Sequence, residues 1–237
     1  FNAVSAYIKT QSTATVNSSG GQLGAIKMGD YINLGSLNVA AYNNNAAVIL
    51  ANTDAGNDKL RLMVVGINPY YDKNGNGTST PHLIFHFKDF PGKARMESTN
   101  TNANGYLGSE MRTYLTSKYW PALQAAGAPE SAVWAVSRRV ANKGTGATGA
   151  DTIEDKLWLP TEREMLGSNL WSASSFESDA NQGYFAYYGS YSSRAKSEVY
   201  RLASPYEANS FCAVHPNNVG YKYASEMAGC APAFAVK

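Results

Sequence analysis

Few residues of this 237-residue chain have types and spacing suited to chemistry. His82 and His86 sit four apart, as two metal ligands would on a helix. Their segment, HLIFHFKDF, alternates like a strand instead, with Leu83, Phe85 and Phe87 set against His82, Ile84, His86 and Lys88. Four strand residues span roughly 13 Å, too far for one ion to bridge. The pair therefore reads as a partly exposed strand face. His215 lies in a loop three residues after Cys212, and nothing in that spacing makes the two face each other. Glu162 and Glu164 can be drawn as paired acids, but Glu164 fits a helix cap better. DKNGNG (72–77) opens like a calcium loop, yet its twelfth position is Leu83 and lacks the bidentate carboxylate. It reads as a hairpin turn, reinforced by its two Asn-Gly steps. No nucleophile elbow, zinc-protease helix or phosphate-cradling glycine loop is present. The expectation is a chain with no catalytic residue, no metal and no cofactor.

Cys212 and Cys230 leave two readings open. They are two buried thiols, a common fate of cysteine, or a disulfide between neighbouring strands in an oxidising compartment.

The tyrosines are the stronger signal. Eight of the 16 fall in residues 184–223, among serine, glycine and asparagine. Tyrosine offers rigid contact area at low entropic cost, and its small polar neighbours offer adaptable hydrogen bonds, as in binding loops. The competing reading is a set of amphipathic strands with phenols at their rims.

These side chains need elements to position them. Residues 1–27 are rich in Ser, Thr, Gly and Gln and read as an arm or linker, with a short strand near Ala6–Lys9. One domain is expected over 28–237. Strands are expected at 59–67 and 82–90. A helix is expected over 108–127, capped by Ser109, with Met111, Leu115, Tyr119 and Leu123 on one face and a kink near Trp120 forced by Pro121. In KLWLPTEREMLG (156–167), a short strand ends at Pro160. Thr161 and Glu164 then form a capping box, and Gly167 closes the short helix. A further strand is expected at 131–142 and an apolar one at 230–236. The class is α+β: short helices, irregular β structure and a loop-rich C-terminal end.

Composition narrows the function. Hydrophobic content of 44% against 16% charged residues implies a folded core. The net charge of +2 is scattered, so nucleic acid is not an expected partner. No apolar run approaches the ~18 residues of a membrane span, so no membrane insertion is expected. The chain begins at Phe1, which suggests that a leader or a preceding domain has been removed.

KLWLPTEREMLG resembles the R-L-P-T-E-x-E-W segment of the formylglycine-generating-enzyme group. The ordered set YLGSEMRTYL, DKLWLPTERE, LWSAS and GCAPAFAV is similar to an uncharacterised bacterial and phage domain family. The variable proteins of diversity-generating retroelements look similar too. The resemblance implies a C-type-lectin-like fold: a twisted antiparallel sheet, two or more short helices and a C-terminal loop face that binds the ligand. Two departures bear on activity. Cys212 and Cys230 are far apart, unlike the group's close redox pair. HPN at 215–217 has His215 where calcium-dependent sugar sites carry a carboxylate or amide. The implied function is non-enzymatic: a phage receptor-binding or tail-fibre tip, or a bacterial adhesin, on a virion or cell surface. Its partner would be a cell-surface protein or glycan, and display as a homo-oligomer, a trimer being one form, would add avidity. The expected face runs from Ser174 to Ala224. Tyr187, Tyr188, Tyr191, Tyr200 and Tyr206 are its anchors, and Arg194, Glu207, Asn209, Asn217 and Asn218 its polar contacts. The alternative is a virion decoration or an extracellular filament subunit.

Overall fold

The computed structural model describes residues 1–11, 22–51, 58–67, 81–171 and 183–237. The expected DKNGNG turn and the start of the expected binding face, near Ser174, lie outside them.

The described residues build two five-stranded sheets. The first contains β3 (Tyr31–Asn33), β6 (Arg61–Ile67), β7 (Leu83–Phe87), β16 (Ala233–Val236) and β9 (Val133–Trp134), in the order β3-β6-β7-β16-β9. Each pairing in it is antiparallel. The second contains β8 (Gly92–Ala94), β12 (Tyr200–Pro205), β13 (Ser210–Val214), β14 (Val219–Tyr223) and β15 (Ala228–Cys230), in the order β14-β13-β12-β15-β8. Only β12 and β15 run parallel. Two-stranded ribbons pair β1 (Gln22–Leu23) with β2 (Ile26–Lys27), β4 (Leu37–Val39) with β5 (Val48–Leu50), and β10 (Val136–Ala141) with β11 (Ala150–Asp155). The class is α+β, and no described helix is long and apolar enough to cross a membrane.

The partly exposed face expected for His82 and His86 is corrected. β7 lies between β6 and β16, and all five of its residues are buried. Both histidines are fully buried, because the strand is covered on both faces and alternation loses its meaning. The N-terminal segment also differs from expectation. Residues 2–9 form helix α1 (Asn2–Lys9), where a strand near Ala6–Lys9 was expected. α1 is docked: the Phe1 ring meets Phe85 and Phe234 at 6.1 and 5.8 Å, Ile8 is buried, and Ser5 Oγ donates to the Lys237 carbonyl at 2.5 Å.

The expected helix forms as α2 (Glu110–Tyr114), a π-helical turn (Leu115–Tyr119) and α3 (Trp120–Ala125). Ser109 caps it by accepting the Arg112 N–H at 3.2 Å. Pro121 removes a donor, and the wide turn just before it absorbs the mismatch. Met111, Leu115, Tyr119 and Leu123 are all buried.

Helix α4 (Glu162–Leu166) carries the capping box foreseen in TEREML. Glu164 Oε2 accepts the Thr161 N–H at 2.6 Å, and Thr161 Oγ1 accepts that of Glu164 at 3.1 Å. Gly167 ends the helix at φ +73°, a left-handed position suited to glycine. Glu164 also pairs with Arg138 at 3.0 Å, both side chains fully buried, and the guanidinium lies over Trp158 at 4.9 Å. This motif is therefore a buried polar hub joining α4 to the β10–β11 ribbon.

Cys212 and Cys230 are both buried and are not joined by a disulfide. They occupy β13 and β15 with β12 between them, so two strand spacings, roughly 9–10 Å, separate them. A disulfide needs Cα atoms within about 7 Å. Cys230 instead lies 3.7 Å from Met111 Sδ, and burial pushes its thiol up to about 12.

Candidate functional site

The edge of the second sheet carries exposed aromatic surface. β13 is wholly buried, and β14 packs outside it with Cys212 opposite Tyr221 and Ser210 opposite Tyr223. Successive strand side chains alternate in direction, so Tyr221 and Tyr223 share a face. Tyr206 reaches the same place from the end of β12, and Trp171 from the chain after α4.

Trp171 is delivered there by the capping-box helix. Glu162 is fully buried, and its carboxylate accepts the Trp171 N–H at 2.9 Å. Its own N–H donates to Ser204 Oγ of β12 at 2.8 Å. The carboxylate drawn as half of an acid pair is thus a backbone anchor for an aromatic side chain.

The rings touch in sequence. Trp171 meets Tyr206 edge-on at 5.4 Å and Tyr221 at 6.2 Å; Tyr206 meets Tyr221 at 5.1 Å, and Tyr221 meets Tyr223 at 6.0 Å. Despite these contacts, Trp171 and Tyr223 remain 39% and 40% exposed. Trp171, Tyr221 and Tyr223 border an open cleft of about 420 Å³, and Tyr206 packs against the first two rings. Its polar edge is His215, Asn218, Lys222 and Glu226, the last two joined at 3.5 Å.

A buried cation holds the strand. Arg201 of β12 is fully buried and donates to the carbonyls of Lys222 at 3.3 Å, Tyr223 at 2.6 Å, and Glu226. Burial pulls its guanidinium down to about 10. Asn102 fixes the start of β13, at the same end of the strand pair, by donating to the carbonyls of Ser210, at 2.6 Å, and Glu207. The aromatic row rests on a stiff, hydrogen-bonded support.

Residues 82–237 match DUF6273, described as a domain of unknown function. The chain belongs to that family. The matched span runs from the start of β7 to the C-terminus and so contains the whole second sheet and every residue of the aromatic cleft. No curated protein and no solved structure matches the chain.

The single face expected between Ser174 and Ala224 is divided. Asn218 lines the aromatic cleft and Tyr206 joins its ring cluster. Glu207 and Asn217 are exposed, and Asn209 is half-buried with its carbonyl accepting the Ala224 N–H at 2.8 Å. Tyr187 and Tyr188 line a different cleft, which shares no residue with the first.

Two of the anchors are corrected to interior residues. Tyr188 is 2% exposed, its hydroxyl 2.5 Å from His86 Nδ1. Tyr200 is fully buried and donates to the Arg194 carbonyl at 2.9 Å. Arg194 is half-buried and its Nε donates to the Ser190 carbonyl at 3.1 Å. The Tyr191 side chain lies outside the described residues.

Trp171, Tyr221, Tyr223, His215, Lys222 and Glu226 were not among the expected contacts. The alternation of Val219, Tyr221 and Tyr223 is a signal for two of these positions, Tyr221 and Tyr223, sharing one strand face. Nothing local in the sequence announces Trp171, which arrives through Glu162.

Proposed function

We propose that the chain is a non-enzymatic recognition domain with a C-type-lectin-like fold, displayed on a virion or bacterial surface, and that it binds its receptor at the aromatic cleft. The observation that carries this reading is the contiguous row Trp171–Tyr206–Tyr221–Tyr223, half in water on a hydrogen-bonded support. Rigid amphipathic rings bordered by a few polar groups are what a binding surface needs to gain contact area without ordering flexible chains. The sequence likeness to phage and bacterial surface domains, carried by KLWLPTEREMLG and GCAPAFAV, supports the setting. The receptor class is a cell-surface protein or glycan.

A double variant, Tyr206→Ala with Tyr221→Ala, tests the reading against intact bacterial cells and an immobilised panel of bacterial surface glycans. Loss of binding with unchanged melting is expected. Wild-type binding by the double variant rejects the cleft as the receptor site.

One observation favours a second reading. Among the described residues β14 is the outer strand of its sheet, a geometry that supports strand addition between subunits. A decoration protein or filament subunit would use it. Solution mass and imaging separate the two readings, because a filament subunit polymerises and a recognition tip stays a small oligomer.

A further inference from the structure

The aromatic cleft touches Val219, Gly220, Tyr221, Lys222 and Tyr223, which are the whole of β14. Successive strand side chains point to opposite faces, so a cleft that meets all of them runs along the strand's edge and not over one face of the sheet. Among the described residues β14 is the outer strand of that sheet. We propose that this edge binds an extended segment of a protein receptor, which joins the sheet as a further strand. The inference rests on the receptor-binding reading above and names the class of its partner.

Hydrogen-bond parity decides which groups face that partner. The Ala224 N–H donates to the Asn209 carbonyl at 2.8 Å, and the His215 N–H to the Asn218 carbonyl at 2.7 Å. Both pairs continue the β13–β14 register, in which Phe211 meets Lys222 and Ala213 meets Gly220. Bonded and unbonded pairs alternate along an antiparallel ladder. Asn218, Gly220, Lys222 and Ala224 therefore bond inward to the β13 side. The N–H and C=O groups of Val219 and Tyr221, and the N–H of Tyr223, point outward. The Tyr223 carbonyl is already taken by Arg201 Nη2 at 2.6 Å and by the Glu226 N–H at 3.0 Å. Outward groups at alternate residues are the template that strand addition uses.

The side chains define what kind of segment fits. Tyr221 and Tyr223 share one face, where the Trp171 ring lies 6.2 Å from that of Tyr221. Lys222 projects from the other face, beside Gly220, whose lack of a side chain lets a second backbone approach. Lys222 is the single charged residue of β14, and its pair with Glu226 is loose at 3.5 Å. An incoming strand would set apolar residues beside the rings at every second position and gain from an acidic residue beside Lys222. A second copy of β14 brings no such acid, because VGYKY contains none, and a register that aligns the two lysines repels. Charge complementarity thus favours a segment of another protein, with apolar and acidic residues in alternation.

The test uses the full chain and immobilised synthetic decapeptides with Val, Ile or Tyr at alternate positions and Glu, Lys or Thr between them. Wild-type protein is expected to bind members of this set. Glu members should bind on the order of threefold better than Lys members, and Lys222→Glu should reverse that order. Methylating the backbone nitrogens of a bound peptide one by one should weaken binding at every second residue only, since alternate N–H groups of an added strand face β14. Val219→Pro deletes an outward N–H at the first residue of the strand and leaves every ring in place; it should weaken binding on the order of tenfold with unchanged melting. Absence of peptide binding, a methylation scan without a period of two, or full peptide binding by Val219→Pro overturns the proposal. A wild-type dimer that Val219→Pro dissociates assigns the edge to a second copy and overturns it as well. The receptor-cleft reading fails separately. Cell binding that survives Tyr206→Ala with Tyr221→Ala rejects that reading, whereas cell binding lost there but intact in Val219→Pro rejects only the added strand.

Discussion

Tyr188 and Tyr221 come from the same tyrosine-rich third of the chain and end in opposite environments. Tyr188 sits in a 3-10 turn (Ala186–Tyr188) whose entry is pinned by the Phe185 N–H donating to the Glu164 carbonyl at 2.8 Å. Its hydroxyl meets an imidazole nitrogen in the interior, so ring and hydroxyl are both satisfied away from water. Tyr221 sits on an outer strand with a half-exposed ring among other rings. The buried acceptor that meets the Tyr188 hydroxyl favours its place in the core. Composition is blind to that difference.

The largest effect expected from this contrast is in stability. Tyr188→Ala should lower the unfolding free energy by about 3–5 kcal/mol, read by chemical denaturation, because it opens a cavity beside His86. A loss below about 1 kcal/mol would place Tyr188 with the rim tyrosines. Tyr188→Phe keeps the ring and strips the donor from His86, and should cost about 1–3 kcal/mol. Tyr221→Ala is expected to cost only about 0.5–1.5 kcal/mol, the scale of a lost aromatic pair, while removing receptor binding. A loss as large as that of Tyr188→Ala would mean the aromatic row is core rather than surface.

The two regions also respond to pH with opposite sign. Burial raises the Glu97 carboxyl from 4.5 to about 7; its backbone N–H donates to the Ala224 carbonyl just beyond β14. Between those values the folded protein holds a proton that the unfolded chain has lost, so this group's stabilisation fades as pH rises through the window. Lys196 falls from 10.5 to about 7, so between those values the unfolded chain holds the extra proton and stability rises with pH. Denaturation curves at pH 5, 7 and 9 should show the first slope flattened by Glu97→Gln and the second by Lys196→Met. Unchanged slopes would break the assignment of either group.

Short-range rules served the sequence reading well. The Ser109 cap, the break at Pro121, the capping box of Thr161 and Glu164 and the closing Gly167 all formed where local spacing placed them. The same rules failed at residues 2–9, where an expected strand became a helix that buries Ile8 and sets the Phe1 ring against Phe85 and Phe234 of the first sheet. They failed again at His86, whose alternating segment became a covered central strand. For the candidate site, the region was legible and the membership was not. Asn218 lines the aromatic cleft and Tyr206 contacts its rings, whereas Tyr188 and Tyr200 turned inward.

The sequence by itself determined an α+β chain, the caps of the helices that follow Ser109 and Thr161 and the crowding of tyrosines toward the C-terminus, because caps, turns and periodicity act over a few neighbouring residues. Only the tertiary structure decided which tyrosines face water, that Glu162 carries Trp171 to Tyr221, and that β12 keeps Cys212 from Cys230. Those outcomes depend on what covers each face, and the covering groups come from residues far away in the chain.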